Sequence, residues 1–247
     1  MNMFNKFEGG SKQENLFNIF NEASSGTVVV ELYGSVYENP PEDSEGDYIA
    51  LSEVRKELNK IKADKITVKI NTTGGSFFAG QAISNLLREH KAEITTRLVG
   101  VAASAGSIIF TAGKYREMFS NASLLVHNVR TAVFGDWKTL KEMSDELKEL
   151  DNSLIENYKE MFNGSEKELR QLLDDDKFMT AKKAKEKGFC TKIIGGKAES
   201  DEEVENKIQD FFSSFQNSRQ KKLIKRLVDK YKDNDSKNLL NKIKGQK

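Results

Sequence analysis

The sequence predicts an α/β fold in which parallel strands are joined by helical crossovers. Three observations carry this expectation: apolar residues alternate at 28–32 and again at 66–70, each alternating run is followed by a run with helical spacing, and turn formers punctuate the changes.

Residues 1–26 are polar apart from a short Phe/Leu cluster between Leu16 and Phe20, and read as an N-terminal arm. From Thr27 the pattern tightens. Val28, Val30 and Leu32 alternate as a strand that runs out into Asn39-Pro40-Pro41-Glu42-Asp43-Ser44. Leu51, Val54, Leu58 and Ile61 have helical spacing, Ile66, Val68 and Ile70 form the next strand, and Thr73-Gly74-Gly75-Ser76 breaks it before a helix carrying Ala79, Ile83, Leu86 and Leu87. A strand around 95–99 leads into Gly100-Val101-Ala102-Ala103-Ser104-Ala105-Gly106, and Leu124-Leu125-Val126-His127 reads as a further buried strand. Leu140, Met143, Leu147, Leu150, Leu154, Tyr158 and Met161 repeat every three or four positions, which predicts one long amphipathic helix from about 136 to 162. Phe134 and Trp137, near its start, are expected to pack, the alternative being contact with substrate or a subunit. Ser165 with Glu168 forms a capping box for a short helix holding Leu169 and Leu172; Thr180 caps the next helix, and Gly188 closes it before a strand at 189–194.

After Gly195-Gly196 the composition shifts to an acidic stretch at 199–210 and a basic one at 219–247, where Leu223, Ile224, Leu227, Val228 and Tyr231 keep helical spacing. The expected organisation is therefore an arm at 1–26, one domain at 27–196 and a charged helical tail at 197–247. A formal net charge of +1 over 247 residues gives no global electrostatic case for nucleic acid or an anionic membrane. The single cysteine, Cys190, has no internal disulfide partner and reads as a small core residue, which suits a cytoplasmic setting. No run approaches the roughly 20 apolar residues of a membrane span, and the N-terminus lacks the apolar core of a signal peptide. No Cys/His cluster or acidic loop has metal-ligand spacing, so neither metal nor cofactor is expected.

Only two histidines are available as a general base. His90, in Arg88-Glu89-His90-Lys91, stands at the polar end of a helix. His127 ends an apolar strand, where its ring requires a partner, structural or catalytic. Ser104 has small neighbours on both sides, so its hydroxyl is unobstructed, and a helix starting there aims the Ala105 N–H at an anion; taken alone, the same residues also suit a closely packed helix. Gly74-Gly75 can form a nest of exposed N–H groups, or simply a strand-to-helix turn.

The order of these elements is more specific than any one of them. Ile70-Asn71-Thr72-Thr73-Gly74-Gly75, Ala102-Ala103-Ser104, Leu125-Val126-His127-Asn128 and Asp176-Lys177-Phe178-Met179-Thr180-Ala181, with the stretch 184–188, resemble the successive signatures of ClpP-type serine peptidases. The resemblance spans about 27–194. It implies a ClpP/crotonase-like fold with a long projecting helix, and a triad in which Ser104 attacks, His127 moves the proton and Asp176 orients the imidazole. The motif selects Asp176 from the run Asp174-Asp175-Asp176. The oxyanion would lie against the backbone N–H groups of Gly75 and Ala105. Protein or peptide substrates and a homo-oligomeric ring are implied, with no nucleic acid, membrane or metal.

Within the family, the long helix, the small residues after Ser104 and Asn128 after the histidine are most similar to the prohead maturation proteases of tailed bacteriophages, which implies capsid and scaffold proteins as partners in a bacterial host cytoplasm. Thr72-Thr73 and Ala105 depart from the housekeeping pattern, where Ser-Pro and Met are usual. The alternatives are a housekeeping ClpP-type subunit, an acyl-CoA enzyme of the crotonase fold, and a non-catalytic assembly protein.

Overall fold

The computed structural model describes residues 19–22, 26–39 and 47–195. Most of the arm at 1–26, the turn at 40–46 and the charged tail at 197–247 lie outside the described residues. The chain runs β1 (Ile19–Glu22), β2 (Thr27–Tyr33), β3 (Ser35–Tyr37), β4 (Tyr48–Ala50), α1 (Leu51–Leu58), β5 (Lys65–Thr72), α2 (Phe77–Glu89), β6 (Glu93–Ala103), α3 (Ala105–Phe110), β7 (Tyr115–Phe119), β8 (Ser123–Leu125), α4 (Trp137–Lys159), α5 (Glu166–Asp175), β9 (Phe178–Thr180), α6 (Ala181–Glu186) and β10 (Lys192–Ile194). The main sheet has the order β1-β2-β5-β6-β7-β10, with β8 on β6 and β9 on β8. Strands β2, β5, β6, β7 and β10 are parallel, and β1 is antiparallel to β2. This is the expected α/β architecture with a mostly parallel sheet.

Alternation explains which face of the sheet is covered. Val28, Val30 and Leu32, Ile66, Val68 and Ile70, and Ile94 and Leu98 point to one side and share a core with Val54 and Leu58 of α1, Ile83 and Leu87 of α2, and Ile108 and Phe110 of α3. Each such side chain contributes about 1.5–3 kcal/mol by leaving water. The in-between positions carry polar pairs instead: Lys69 bonds Glu31 at 3.1 Å, and Arg97 bonds Glu117 at 2.9 Å.

The sheet forks along β6, and the fork positions the site. Thr95–Leu98 pair with β7, whereas Val101–Ala103 pair with β8. Between these two stretches the β5–β6 register shifts past Asn71, whose side-chain Oδ1 accepts the Val101 N–H at 3.2 Å and so satisfies a donor that the ladder leaves free.

The caps read from the sequence are present. Ser165 and Glu168 make a reciprocal capping box, and the Thr180 hydroxyl accepts the Lys183 N–H. Helix α4 is capped by Asp136, which accepts from Lys138 and Thr139 at 3.1 Å. Its 23 residues span roughly 35 Å at 1.5 Å per residue, yet only Leu154, Ile155 and Tyr158 near its C-terminal end are buried. Phe134 and Trp137, expected to pack, are 60% and 70% exposed, because the first turns of α4 project away from the core.

Two further differences have local causes. The strand expected at 189–194 is confined to Lys192–Ile194, since Arg116 takes the carbonyls of Phe189 (2.8 Å) and Gly188 (3.2 Å) before a ladder can form. Strand β7 and the small β3–β4 pair were not expected at all. Among the described residues no helix is long and apolar enough to cross a membrane.

Candidate active site

Ser104 is the single residue between the last position of β6 and the first of α3, and it stands at φ 56° and ψ −125°. A side chain at positive φ costs on the order of 1–3 kcal/mol and persists only where the surroundings impose it. Here they do. The Ser104 N–H donates to Leu125 O at 3.2 Å, and its carbonyl accepts from the Ser107 N–H at 2.9 Å and the Ser107 hydroxyl at 2.5 Å. Ser107 Oγ is in turn 2.8 Å from the hydroxyl of Tyr158, which is 1% exposed, so the turn is tied to the buried end of α4. A sharp strand-to-helix turn of this kind presents a serine hydroxyl at its apex.

Strand register brings the other two residues to this turn. Parallel pairing of Ala103 with Leu125 sets the chain after β8 beside Ser104. Antiparallel pairing of Leu125 with Phe178 brings the chain after β8, which carries His127, and the chain before β9, which carries Asp176, to the same end of this ladder, and the Asp176 carboxylate is near enough to His127 to favour its charged form. Asp176 has φ 51°, the left-handed conformation that ends α5, which an aspartate tolerates better than most side chains.

Two glycines complete the turn's surroundings. A Cβ on Gly74 would lie 2.7 Å from Ser104 Cβ and 3.1 Å from the Ala105 nitrogen, so only glycine allows this loop to close over the serine. The Gly74 carbonyl and the Ser76 N–H both bond Val36, at 3.0 and 2.9 Å. In that bridge the intervening Gly75 has its own N–H turned away from Val36. Gly75, Ser104, Ala105 and His127 line a cleft of about 420 Å³. Apolar residues Phe77, Ile108, Leu147, Leu150, Leu154 and Tyr158 also line it, together with Arg130 and Glu146.

The structure thus brings four of the five expected site residues to one cleft. The fifth, Asp176, does not line it and is connected to it through Arg130, with which Asp176 Oδ2 makes an ion pair. His127 Nδ1 lies 2.6 Å from Asn128 O. A carbonyl oxygen only accepts, so Nδ1 carries the proton and the neutral ring keeps its lone pair on Nε2. Burial, followed by the Arg130 cation, pushes the His127 pKa down; the Asn128 carbonyl, Asp176 and Asp151 oppose that shift.

Sequence reasoning passed over the residues that support this histidine. Asn128 Nδ2 donates to Asp174 Oδ1 at 2.7 Å, and the Val129 N–H donates to Asp151 Oδ1 at 2.6 Å. Burial pushes the Asp151 carboxyl up, partly offset by that N–H. Asp174, which the motif sets aside in favour of Asp176, has a local role through its bond to Asn128. The signal was Arg130 three residues after His127. His90 and Cys190 behave as read: His90 Nδ1 accepts the Ala92 N–H at 3.1 Å at the end of α2, and Cys190 is buried, its thiol 3.2 Å from Lys192 O.

Comparison with known proteins gives concordant results. A family model described as Clp protease matches residues 52–197. The ATP-dependent Clp protease proteolytic subunit 1 of Cutibacterium acnes is 32% identical over 143 residues, which cover 56% of this chain and 66% of that relative, just under two thirds of its length. The match takes in the glycine turn, the Ser104 turn, His127 and Asp176, and the chain belongs to the Clp protease family.

Proposed function

We propose that this chain is a serine peptidase of the ClpP type, with Ser104 as nucleophile, His127 as general base and Asp176 as the orienting acid. The observation that carries the reading is that the strained Ser104 turn and His127, whose Nδ1 proton lies on the Asn128 carbonyl, line one cleft, with the Asp176 carboxylate near enough to favour the imidazolium. Ser104 Oγ attacks the scissile carbonyl while His127 Nε2 takes its proton. The oxyanion is received by the N–H groups of Gly75 and Ala105, and the imidazolium returns the proton to the leaving amine. Water, activated by the same histidine, then hydrolyses the acyl-enzyme. The apolar residues in the cleft lining suit a substrate side chain. Homo-oligomeric ring assembly and a cytoplasmic setting belong to this proposal.

The test is Ser104→Ala, which is expected to abolish both peptide hydrolysis and labelling by a fluorophosphonate probe while the fold is retained. An acyl-CoA enzyme or a non-catalytic assembly protein would not be labelled at Ser104 in the parent chain.

Two settings are open to such a peptidase, each with its own support. The relative named as a proteolytic subunit of an ATP-dependent protease favours a housekeeping-type role. Thr72-Thr73, Ala105 and Asn128 favour processing of capsid or scaffold proteins during phage head maturation. Cleavage of the natural substrate only with a Clp ATPase supports the first; cleavage without one, and failure of a chain truncated after Gly196 to enter proheads, supports the second.

A further inference from the structure

Among the described residues, Asp176 Oδ1 is one of two buried side-chain polar atoms with no hydrogen-bond partner. A buried carboxylate oxygen without a donor is destabilising, which makes it a place where a donor is expected to arrive. The other oxygen of the same carboxylate is held by Arg130, and the carboxylate is near enough to His127 to favour its charged form. His127, for its part, gives its Nδ1 proton to Asn128 O. One donor thus sits on a carbonyl while a neighbouring carboxylate keeps one oxygen unfilled.

We infer that Arg130 is a positioning residue: it holds Asp176 by Oδ2 so that the buried Oδ1 receives the Nδ1–H of His127 when the imidazole turns from the Asn128 carbonyl. The inference rests on the proposed peptidase chemistry, in which that hydrogen bond forms as His127 takes the serine proton. Arg130 acts through geometry at the expense of charge, since a guanidinium beside an imidazole disfavours the imidazolium. The charged groups facing His127 are Arg130 on its own stretch, Asp151 of α4 and Asp176 at the end of α5, with Asp174 reached through Asn128. Arg130 is the cation in this set, so its removal has two separable effects. The base becomes more basic, and the carboxylate that orients it is released.

The experiment uses the full chain labelled with ¹⁵N-histidine, in which His90 serves as an internal reference for the only other imidazole. Arg130→Gln, Arg130→Lys and Asp176→Asn are compared by NMR titration and by the rate of inactivation with a fluorophosphonate. In the parent and in Arg130→Lys, protonated His127 is expected to show a low-field Nδ1 proton bonded to carboxylate, which is absent in Arg130→Gln and Asp176→Asn. Arg130→Gln is expected to titrate at higher pH than the parent and yet react about 10- to 100-fold more slowly once His127 is neutral, the scale of a misplaced catalytic group. A merely structural arginine would not give a base that is stronger and slower at once. Persistence of the low-field proton in Arg130→Gln overturns the inference, as does faster inactivation, which would make Arg130 a competitor for Asp176. A parent that shows the expected Nδ1 signal but reacts with no probe defeats the peptidase reading and leaves the hold of Arg130 on Asp176 standing.

Discussion

Burial and Arg130 both disfavour the imidazolium form of His127, so the ring stays neutral to lower pH than an unperturbed histidine. A general base works only when neutral. The acid limb of kcat/KM for a peptide substrate is therefore expected below about pH 6.5, the ordinary histidine value, and a pH–rate profile with its limb above that value would contradict the environment described here. His127→Ala is expected to lower kcat by about 10⁴-fold, the scale of triad losses. His90→Ala is expected to leave kcat near that of the parent, since its ring only caps the end of α2. Equal losses from the two variants would remove His127 from its assigned role. Among the adjacent acids, Asp176→Asn is expected to cost most. Asp174→Asn should cost less, acting through Asn128, and Asp175→Asn least, because its carboxylate is engaged by Gln171 at 2.8 Å. Steady-state kinetics of the three variants gives the ranking.

At the scale of elements, what could be read in advance was whatever repeats or punctuates. Val28, Val30 and Leu32 and Ile66, Val68 and Ile70 announce strands by their period of two, and Ser165 with Glu168 announces a helix start because the two satisfy each other. Strand β7 was illegible for the opposite reason. In Tyr-Arg-Glu-Met-Phe only Met118 is buried, and the strand exists because β6 offers it an edge. The β3–β4 pair joins two three-residue strands, too short to carry a period of their own. In the site, Ser104, His127, Gly75 and Ala105 were legible from motif order. Arg130 and Asp151 were not, because the contacts that matter join α4 and α5 to the stretch after β8 and have no fixed spacing in the chain. The glycine turn offers a test at this scale. A Cβ at Gly75 would fall 2.2 Å from Val36 O, so Gly75→Ala is expected to displace the N–H proposed for the oxyanion. Loss of one such donor costs about 10² to 10³ in kcat. The measurement is kcat and KM with circular dichroism as a check on the fold; unchanged kcat in a folded variant would move the oxyanion site elsewhere.

For the whole molecule, the projecting first turns of α4 are the feature that a single chain leaves unexplained. Phe134, Trp137 and Leu140 are 60%, 70% and 46% exposed, and apolar groups gathered on a surface in this way commonly mark contacts between proteins. The proposed homo-oligomer would cover the exposed Trp137 and Leu140. Trp137→Ser combined with Leu140→Ser is expected to reduce the molar mass seen by light scattering without unfolding the domain, whereas a parent chain that is monomeric at working concentration would contradict ring assembly.

The central claim is that Ser104 is a nucleophile activated by its setting, and the most direct measurement is the site of covalent modification. The full chain is treated with a fluorophosphonate, digested and mapped by mass spectrometry. A single adduct on Ser104, lost in Ser104→Ala and strongly reduced in His127→Ala, is the expected result. No adduct, an adduct on another residue, or undiminished labelling of Ser104 in His127→Ala would contradict the account.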